Sequence, residues 1–139
     1  MSIDNELKEK PTLSLALTKK IMAAAEAEAI KNSWPVVIAI VDDGGNLLCL
    51  QRLDEAQFGS VELAIRKAQS AVAFKRPTKY WEEMLVAGQQ RVLSFPGVLP
   101  SEGGIPLTYQ KKIIGAIGVS GVRASEDGQI ARAGATILE

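Results

Sequence analysis

The sequence contains no histidine among its 139 residues. Histidine is the usual general base near neutral pH, a common metal ligand and a frequent axial ligand of haem iron. Its absence excludes a Ser-His-Asp triad, a Cys-His pair and a histidine-ligated zinc or haem within one chain. Any chemistry must therefore come from carboxylates, lysines, arginines, tyrosines, one thiol, backbone amides or a bound cofactor.

The sequence also has only one cysteine, no formal net charge and no long apolar run. Cys49 is the single cysteine, which excludes an intrachain disulfide and a cysteine-based metal site. Sixteen basic residues offset sixteen acidic ones without forming a basic stripe, so nucleic acid is not an expected partner. No apolar run has transmembrane length and residues 1–11 are polar, so we expect a soluble cytoplasmic protein without a membrane anchor.

The length predicts a single domain at residues 13–139 after a mobile, charged tail at residues 1–12. Ser14 is placed to cap a first helix that ends near Asn32. Residues 36–41 are almost continuously β-branched, which is typical of a central strand. A turn at residues 42–46 leads into a returning antiparallel strand at residues 47–53.

The second half continues with helices and another hairpin. Ser60 and Thr78 are predicted caps of two helices, and residues 88–101 read as a loop with proline and glycine. The remaining predicted elements are a helix at 61–74, a short helix after 78, strands at 105–110 and 113–119, and a helix at 126–138. The order is helix, two strands, two helices, two or three strands, helix, which indicates an α+β fold with an antiparallel sheet.

Glycine and proline are concentrated at Gly103, Gly104, Ile105 and Pro106. Successive amides in a glycine-rich turn can form a cradle for an anion or a cofactor, although a loop that enters a strand tightly has the same composition. A second glycine-rich segment at residues 115–121 lies inside a predicted strand and opens no helix. A Rossmann-type nucleotide site is therefore excluded.

Arg52 and Asp54 end the second strand and alternate onto one face of it. The planar guanidinium of Arg52 suits a carboxylate or propionate ligand, while an intrachain salt bridge is the alternative. Glu55 and the turn acids Asp42 and Asp43 are interpreted as solvated carboxylates rather than a cation site, so no metal is expected.

Two further side chains are candidates for ligand contact. Tyr109 follows the glycine turn on the next strand and is either an anionic haem ligand or a half-buried sheet residue. Ser120 ends the last strand and either presents its hydroxyl to a ligand or caps the following turn. Cys49 alternates with leucines on a strand and is interpreted as a small core residue.

Five segments together resemble one family in their order and spacing. They are residues 41–48 (Val-Asp-Asp-Gly-Gly-Asn-Leu-Leu), 52–54, 67–68, 103–106 and 115–121. The chain is similar to the small proteins related to GlcG, the haem-binding sensor HbpS and the C-terminal domain of PduO-type corrinoid adenosyltransferases, with the GlcG branch nearest. The resemblance implies a profilin-like fold, a five-stranded antiparallel sheet with helices packed against it.

The same resemblance implies candidate functions. Family members are associated with binding haem or corrinoids, with haem degradation in some, with catabolic operons and with homo-oligomers, dimer-based and up to octamers. Lys67, in a Lys-Ala-Gln-Ser-Ala pattern, matches a lysine expected at the pocket wall, where it would pair with a ligand carboxylate or act as a base. Several relatives carry histidine where this chain has Phe58, Gly59 and Ser60, so haem iron would need an oxygen ligand.

Two functions from different classes remain open at this point. The first is an oligomeric, non-catalytic binder of a small anionic ligand or tetrapyrrole that serves a catabolic pathway. The second is a small metal-independent lyase, isomerase or hydratase, with Lys67, Asp54 or Glu102 as the base. A purely structural or regulatory partner is the third alternative, and the sequence does not establish whether the protein is an enzyme.

Overall fold

The computed structural model describes residues 2–139, and Met1 of the predicted tail lies outside the described residues. Four antiparallel strands form one sheet in the order β2-β1-β4-β3. The strands are β1 (Val37–Asp42), β2 (Leu47–Arg52), β3 (Gly104–Tyr109) and β4 (Lys112–Ser120). The pairs β1–β2 and β3–β4 are hairpins, so the α+β class and the antiparallel sheet are confirmed.

Helices cover both faces of the sheet. They are α1 (Leu15–Lys31), α2 (Gly59–Phe74), α3 (Thr78–Val86) and α4 (Ala124–Ala135), and short 3₁₀ turns occupy Asp4–Glu6, Gln90–Ser94 and Thr136–Leu138. Strand alternation divides the core, because Ile38 and Ile40 pack with α1 and α4 while Val37 and Ala39 pack with Ala64 of α2. The central strand β1 is therefore buried on both sides, as its β-branched sequence predicted.

The predicted five-stranded sheet is wrong by one strand. The long connection between α3 and β3 forms the Gln90–Ser94 turn and an irregular segment, not a strand. Pro96 and Pro100 lie in this segment, where they remove two backbone donors, and Gly97 adopts a φ of +81°. A run punctuated in this way does not form a continuous ladder.

Helix capping differs from the prediction at two of three positions. Ser14 caps α1, and its Oγ accepts a hydrogen bond from the Leu17 amide at 3.1 Å. The N-cap of α2 is Phe58 and that of α3 is Pro77, so Ser60 and Thr78 already lie inside their helices. Both hydroxyls instead accept hydrogen bonds from other elements, that of Ser60 from Ser120 and that of Thr78 from the Gly104 amide.

The two hairpin turns are built by local polar chemistry. In the first, Asp42 Oδ1 accepts hydrogen bonds from the Gly44 and Asn46 amides, both at 2.9 Å. The hydrogen bond from the Asn46 amide is the main cause that lowers the pKa of Asp42. In the second, Gln110 and Lys111 both have positive φ, as the two central residues of a type I′ turn require.

No helix within residues 2–139 combines the length and the apolar composition that crossing a bilayer requires.

The N-terminal segment contacts the domain near the turns of the two β-hairpins. Lys10 pairs there with Asp43, and Lys112 Nζ donates to the Glu9 carbonyl at 3.2 Å.

Candidate functional site

Lys67 is buried at the end of the sheet where β4 terminates. Only 3% of the residue is exposed, and its Nζ donates to the Val119 carbonyl at 2.9 Å and to Asp127 Oδ2 at 3.1 Å. The side chain thus joins α2 on one face of the sheet to α4 on the other. The ammonium is engaged within the chain and does not line an open cleft.

Asp127 is as deeply buried as its lysine partner. Burial raises the pKa of the Asp127 carboxyl, while the Lys67 ammonium and the amides of Val122 and Gly121 oppose that rise. The amide of Val122 donates to the second carboxylate oxygen, Oδ1, at 3.1 Å. Both oxygens are therefore used, as a buried carboxylate requires.

Gly103 and Gly104 owe their identity to the close passage of α2. A Cβ on Gly103, whose φ is +137°, would lie 2.5 Å from the Val119 carbonyl oxygen and 2.9 Å from Lys67 Nζ. A Cβ on Gly104 would lie 2.2 Å from the Lys67 carbonyl oxygen. The turn thus makes room for Lys67 rather than for a ligand approaching from solvent.

Three backbone groups of this turn already have partners. The Gly104 amide donates to Thr78 Oγ1 at 2.9 Å and the Glu102 amide to Glu82 Oε1 at 3.0 Å. The Gly103 carbonyl accepts from the Val119 amide, while Ile105 and Pro106 continue into β3. Because these groups are occupied, residues 103–106 do not form an open anion cradle in this structure.

Ser120 and Arg52 lie at the same end of the sheet, on either side of Val37 in β1. Ser120 Oγ is buried and lies 3.3 Å from Ser60 Oγ. Arg52 is exposed, and its Nε donates to the Ala56 carbonyl at 2.9 Å. Arg52 and Asp54 do not form a salt bridge with each other.

Arg52 and Asp54 both line a groove of about 700 Å³ between the C-terminal end of α1 and the end of β2. Glu26, Trp34 and Gln51 lie in its walls. The sequence predicted that Arg52 and Asp54 would be neighbours. It contained no signal that α1 would supply the opposite wall of the groove.

Tyr109 lies apart from all of these residues. It pairs with Lys112 beside the β3–β4 turn, at the opposite end of the sheet and on the opposite edge strand from Arg52. The predicted site residues therefore fall into three places: the buried Lys67 network with Gly103, Gly104 and Ser120, the groove with Arg52 and Asp54, and the isolated Tyr109.

A further surface was missed by the sequence reasoning. Phe58, at the start of α2, is 79% exposed, and with Val61 and Ile65 it lines a groove of about 490 Å³ that also includes Arg66 and Gln69. Val61 and Ile65 are partly buried and, like Leu50 of the edge strand β2, pack against the core cluster that includes Ala64. We call Phe58, Val61 and Ile65 the α2 apolar surface. Their spacing of three and four residues was the available signal.

The described residues contain no cluster of three or more cysteine, aspartate or glutamate side chains arranged to hold a metal ion. Ligand binding at either groove would therefore rely on shape, charge and apolar contact.

Comparison with known proteins identifies the family. The family model described as haem degrading protein HbpS-like matches residues 13–136. The chain belongs to the HbpS-like family. Protein GlcG of Escherichia coli strain K12 is 40% identical over 114 residues, covering 82% of this chain and 85% of GlcG. The resemblance inferred from the sequence motifs is thereby confirmed.

Two solved structures of HbpS-like proteins share the fold. The crystal structure of HbpS superposes with a TM-score of 0.87 at 36% identity, covering 97% of this chain and 96% of HbpS. The crystal structure of a PduOC–haem complex superposes with a TM-score of 0.84 at 28% identity, covering 93% of this chain and 96% of PduOC.

Proposed function

We propose that this HbpS-like chain is a non-catalytic binding protein for a tetrapyrrole, haem or a corrinoid, and serves as an accessory to small-molecule catabolism. The observation that carries the proposal is the similarity along almost the whole chain to PduOC, whose crystal structure is a haem complex. The family description, a haem degrading protein, points to the same ligand class.

The α2 apolar surface is the place in this chain that suits such a ligand best. A macrocycle is flat and apolar, and burying it against Phe58 would remove a large exposed aromatic ring from water. Burial of apolar area contributes about 25 cal/mol per Å², so even a partly covered macrocycle gains several kcal/mol. Arg66 lies in the same groove, and its guanidinium suits a propionate.

Arg66 is available for that role at little cost. Its salt bridge with Glu62 at 3.0 Å lies between two largely exposed side chains, and such pairs contribute about 0–1 kcal/mol. Arg52, predicted from the sequence as a propionate clamp, lines the groove between α1 and β2 and not the groove beside Phe58.

A haem iron at this surface would lack a histidine ligand from this chain. Glu62 and Gln69 are the side chains of the groove that offer oxygen atoms. We therefore expect the apolar contact to supply most of the affinity. A corrinoid, which carries its own axial ligands, would depend on the same contact.

Titration with hemin and with cobinamide, followed by visible absorbance, tests the proposal. We expect a Soret shift with hemin or a band shift with cobinamide, and a loss of affinity of at least about tenfold in Phe58→Asp, since a charge would then face the macrocycle. Val86→Asp is the matched control, because Val86 is 83% exposed on α3 and lies outside the groove. Unchanged spectra with both ligands would contradict the proposal.

We also propose that the chain forms a homo-oligomer, dimer-based and up to an octamer, as the family resemblance implies. Strands β2 and β3 are the two edges of the sheet, and association is a common way to cover such edges. Light scattering on a size-exclusion column checks this, and a monomeric mass at micromolar concentration would contradict it. The expected cytoplasmic location stays a prediction.

The enzymatic alternative finds less support in the geometry. A lysine that acts as a base must present an unshared amine to its substrate, whereas Lys67 Nζ donates to two buried acceptors. Glu102 is also paired, since its Oε2 accepts from Arg132 Nη1 at 3.2 Å. Asp54 remains exposed and is the one of the three predicted bases without a recorded partner in residues 2–139.

A further inference from the structure

The groove between α1 and β2 differs from the α2 apolar surface in its charge. We refer to it as the α1–β2 groove; its apolar wall is formed by Ala29, Ile30, Trp34, Pro35 and Leu53, and its polar lining by Glu26, Ser33, Gln51, Arg52, Asp54 and Glu55. Its volume of about 700 Å³ lies within the range of small-molecule sites.

The ionisable side chains favour a cationic ligand. Three carboxylates, those of Glu26, Asp54 and Glu55, face one guanidinium, that of Arg52, which leaves two net negative charges. The carboxylates have no hydrogen-bond or salt-bridge partner recorded among the described residues. The guanidinium is already partly satisfied, because Arg52 Nε donates to the Ala56 carbonyl.

The backbone of α1 also favours a cationic ligand in this groove. Ser33 and Trp34 follow the last turn of α1, so the groove lies at the C-terminal end of a 17-residue helix. The macrodipole gives that end a partial negative charge, which stabilises cations nearby.

Two neutral side chains of the lining also favour a cationic ligand. The indole of Trp34 is half-buried in the wall, and aromatic faces attract ammonium groups. Gln51 Oε1 is screened from water and has no donor among the described residues, and such atoms are rare in folded proteins. Gln51 thus adds an unused hydrogen-bond acceptor to the lining of the groove.

We infer that the α1–β2 groove binds an organic ammonium ligand, a small molecule with an apolar body and a protonated amine. The apolar body would lie against Trp34 and Ile30, and the ammonium between Glu26 and Asp54. This site is separate from the tetrapyrrole surface and has the opposite charge preference.

Two-dimensional ¹H–¹⁵N NMR titration of the full chain tests the inference with phenethylamine and 3-phenylpropionate as probes. They share an aromatic body but carry opposite charges. We expect phenethylamine to shift the Trp34 indole and the amides of residues 51–55, with at least about tenfold tighter binding than 3-phenylpropionate. Glu26→Gln and Asp54→Asn should each weaken amine binding about threefold, and added salt should weaken it further.

Glu83→Gln is the matched control, since it removes the same charge from an exposed position on α3 outside both grooves, and it should leave amine binding unchanged. Equal affinity for the carboxylate, shifts confined to other surfaces, or no binding of the amine would each overturn the inference. Hemin binding is measured separately on Phe58→Asp, so failure of one site leaves the other open to its own test.

Discussion

Lys67 illustrates how burial changes the role of a single residue. The family pattern identified it as a pocket lysine, but the pattern carries no information about what lies beyond the ammonium. Asp127 is 60 positions away in sequence and on the opposite face of the sheet, so local residue spacing cannot predict the ion pair. The structure makes Lys67 a tie between α2 and α4.

Replacing Lys67 with methionine should destabilise the protein by about 3–5 kcal/mol, because Asp127 would be left buried without its counter-charge. The double variant Lys67→Met/Asp127→Asn should lose less than Lys67→Met alone, since the unpaired charge is then gone while a side-chain oxygen still accepts from Val122. Urea midpoints measured by circular dichroism check both values. Equal stability of Lys67→Met and the wild type would contradict the ion-pair assignment.

The same variant should show a shifted pH dependence. Burial already raises the pKa of Asp127, and loss of the ammonium would raise it further. A native state that binds the proton more tightly than the unfolded chain gains stability as pH falls. Lys67→Met should therefore recover part of its lost stability between pH 7 and 5, and a flat difference from the wild type over that range would contradict this.

Asp42 predicts the opposite pH behaviour. Its pKa is lowered, chiefly by the Asn46 amide, so its contribution is present above the usual aspartate pKa and is lost as pH falls through the lowered value. Asp42→Asn keeps an oxygen acceptor but cannot titrate. The stability of the variant should depend less steeply on pH between 5 and 2, as measured by urea denaturation, and a slope equal to the wild type would contradict the assignment.

At the scale of elements, glycines set how closely α2 approaches the sheet. A Cβ on Gly118 of β4 would lie 2.0 Å from the Ala64 carbonyl oxygen and 2.6 Å from the Ala68 amide nitrogen. Because both are backbone atoms, no rotamer change can relieve the overlap. The glycine-rich β4 segment that resembled a ligand-binding fingerprint is therefore a packing surface for a helix.

Gly118→Ala should destabilise the protein by about 2–3 kcal/mol or more through overpacking. Gly59→Ala is the control, since a Cβ at that helical position meets nothing within 4 Å, and it should be neutral or stabilising by up to about 1 kcal/mol. Thermal melts of both variants check the contrast. Similar melting temperatures for the two would show that α2 does not pack against β4 at this distance.

Most elements were predictable because their signals are local. The β-branched run of β1, the Asp42–Asn46 turn and the Ser14 cap each depend on residues a few positions apart. The number of strands was not predictable from local signals. The fifth strand was expected only from the family resemblance, and the prolines of residues 88–101 oppose a strand there. The Ser60 and Thr78 caps failed because their hydroxyls bond across the fold, to Ser120 and Gly104.

The candidate sites were less predictable than the elements. The sequence placed Arg52 and Asp54 together, but the walls of both grooves come from segments joined only by tertiary packing. Trp34 and Gln51 come from different segments and both line the α1–β2 groove, and Val61 and Ile65 pack with Leu50 against one core cluster. Such surfaces depend on how α1 and α2 sit on the sheet, which residue spacing alone does not specify.

For the whole molecule, the zero formal net charge conceals two different surfaces. The α2 apolar surface carries Arg66 beside the exposed Phe58 and two partly buried aliphatic side chains, whereas the α1–β2 groove is acidic. Charge complementarity would direct an anionic tetrapyrrole to the first and an ammonium ligand to the second. Under the two proposals, this chain would hold two unlike ligands without competition.

Native mass spectrometry after addition of hemin tests the central claim most directly, because it counts the bound ligand and the subunits together. We predict an oligomer that carries one haem mass per chain, with the haem lost in Phe58→Asp and retained in Val86→Asp. An oligomer or monomer without added mass, or equal haem content in both variants, would contradict it.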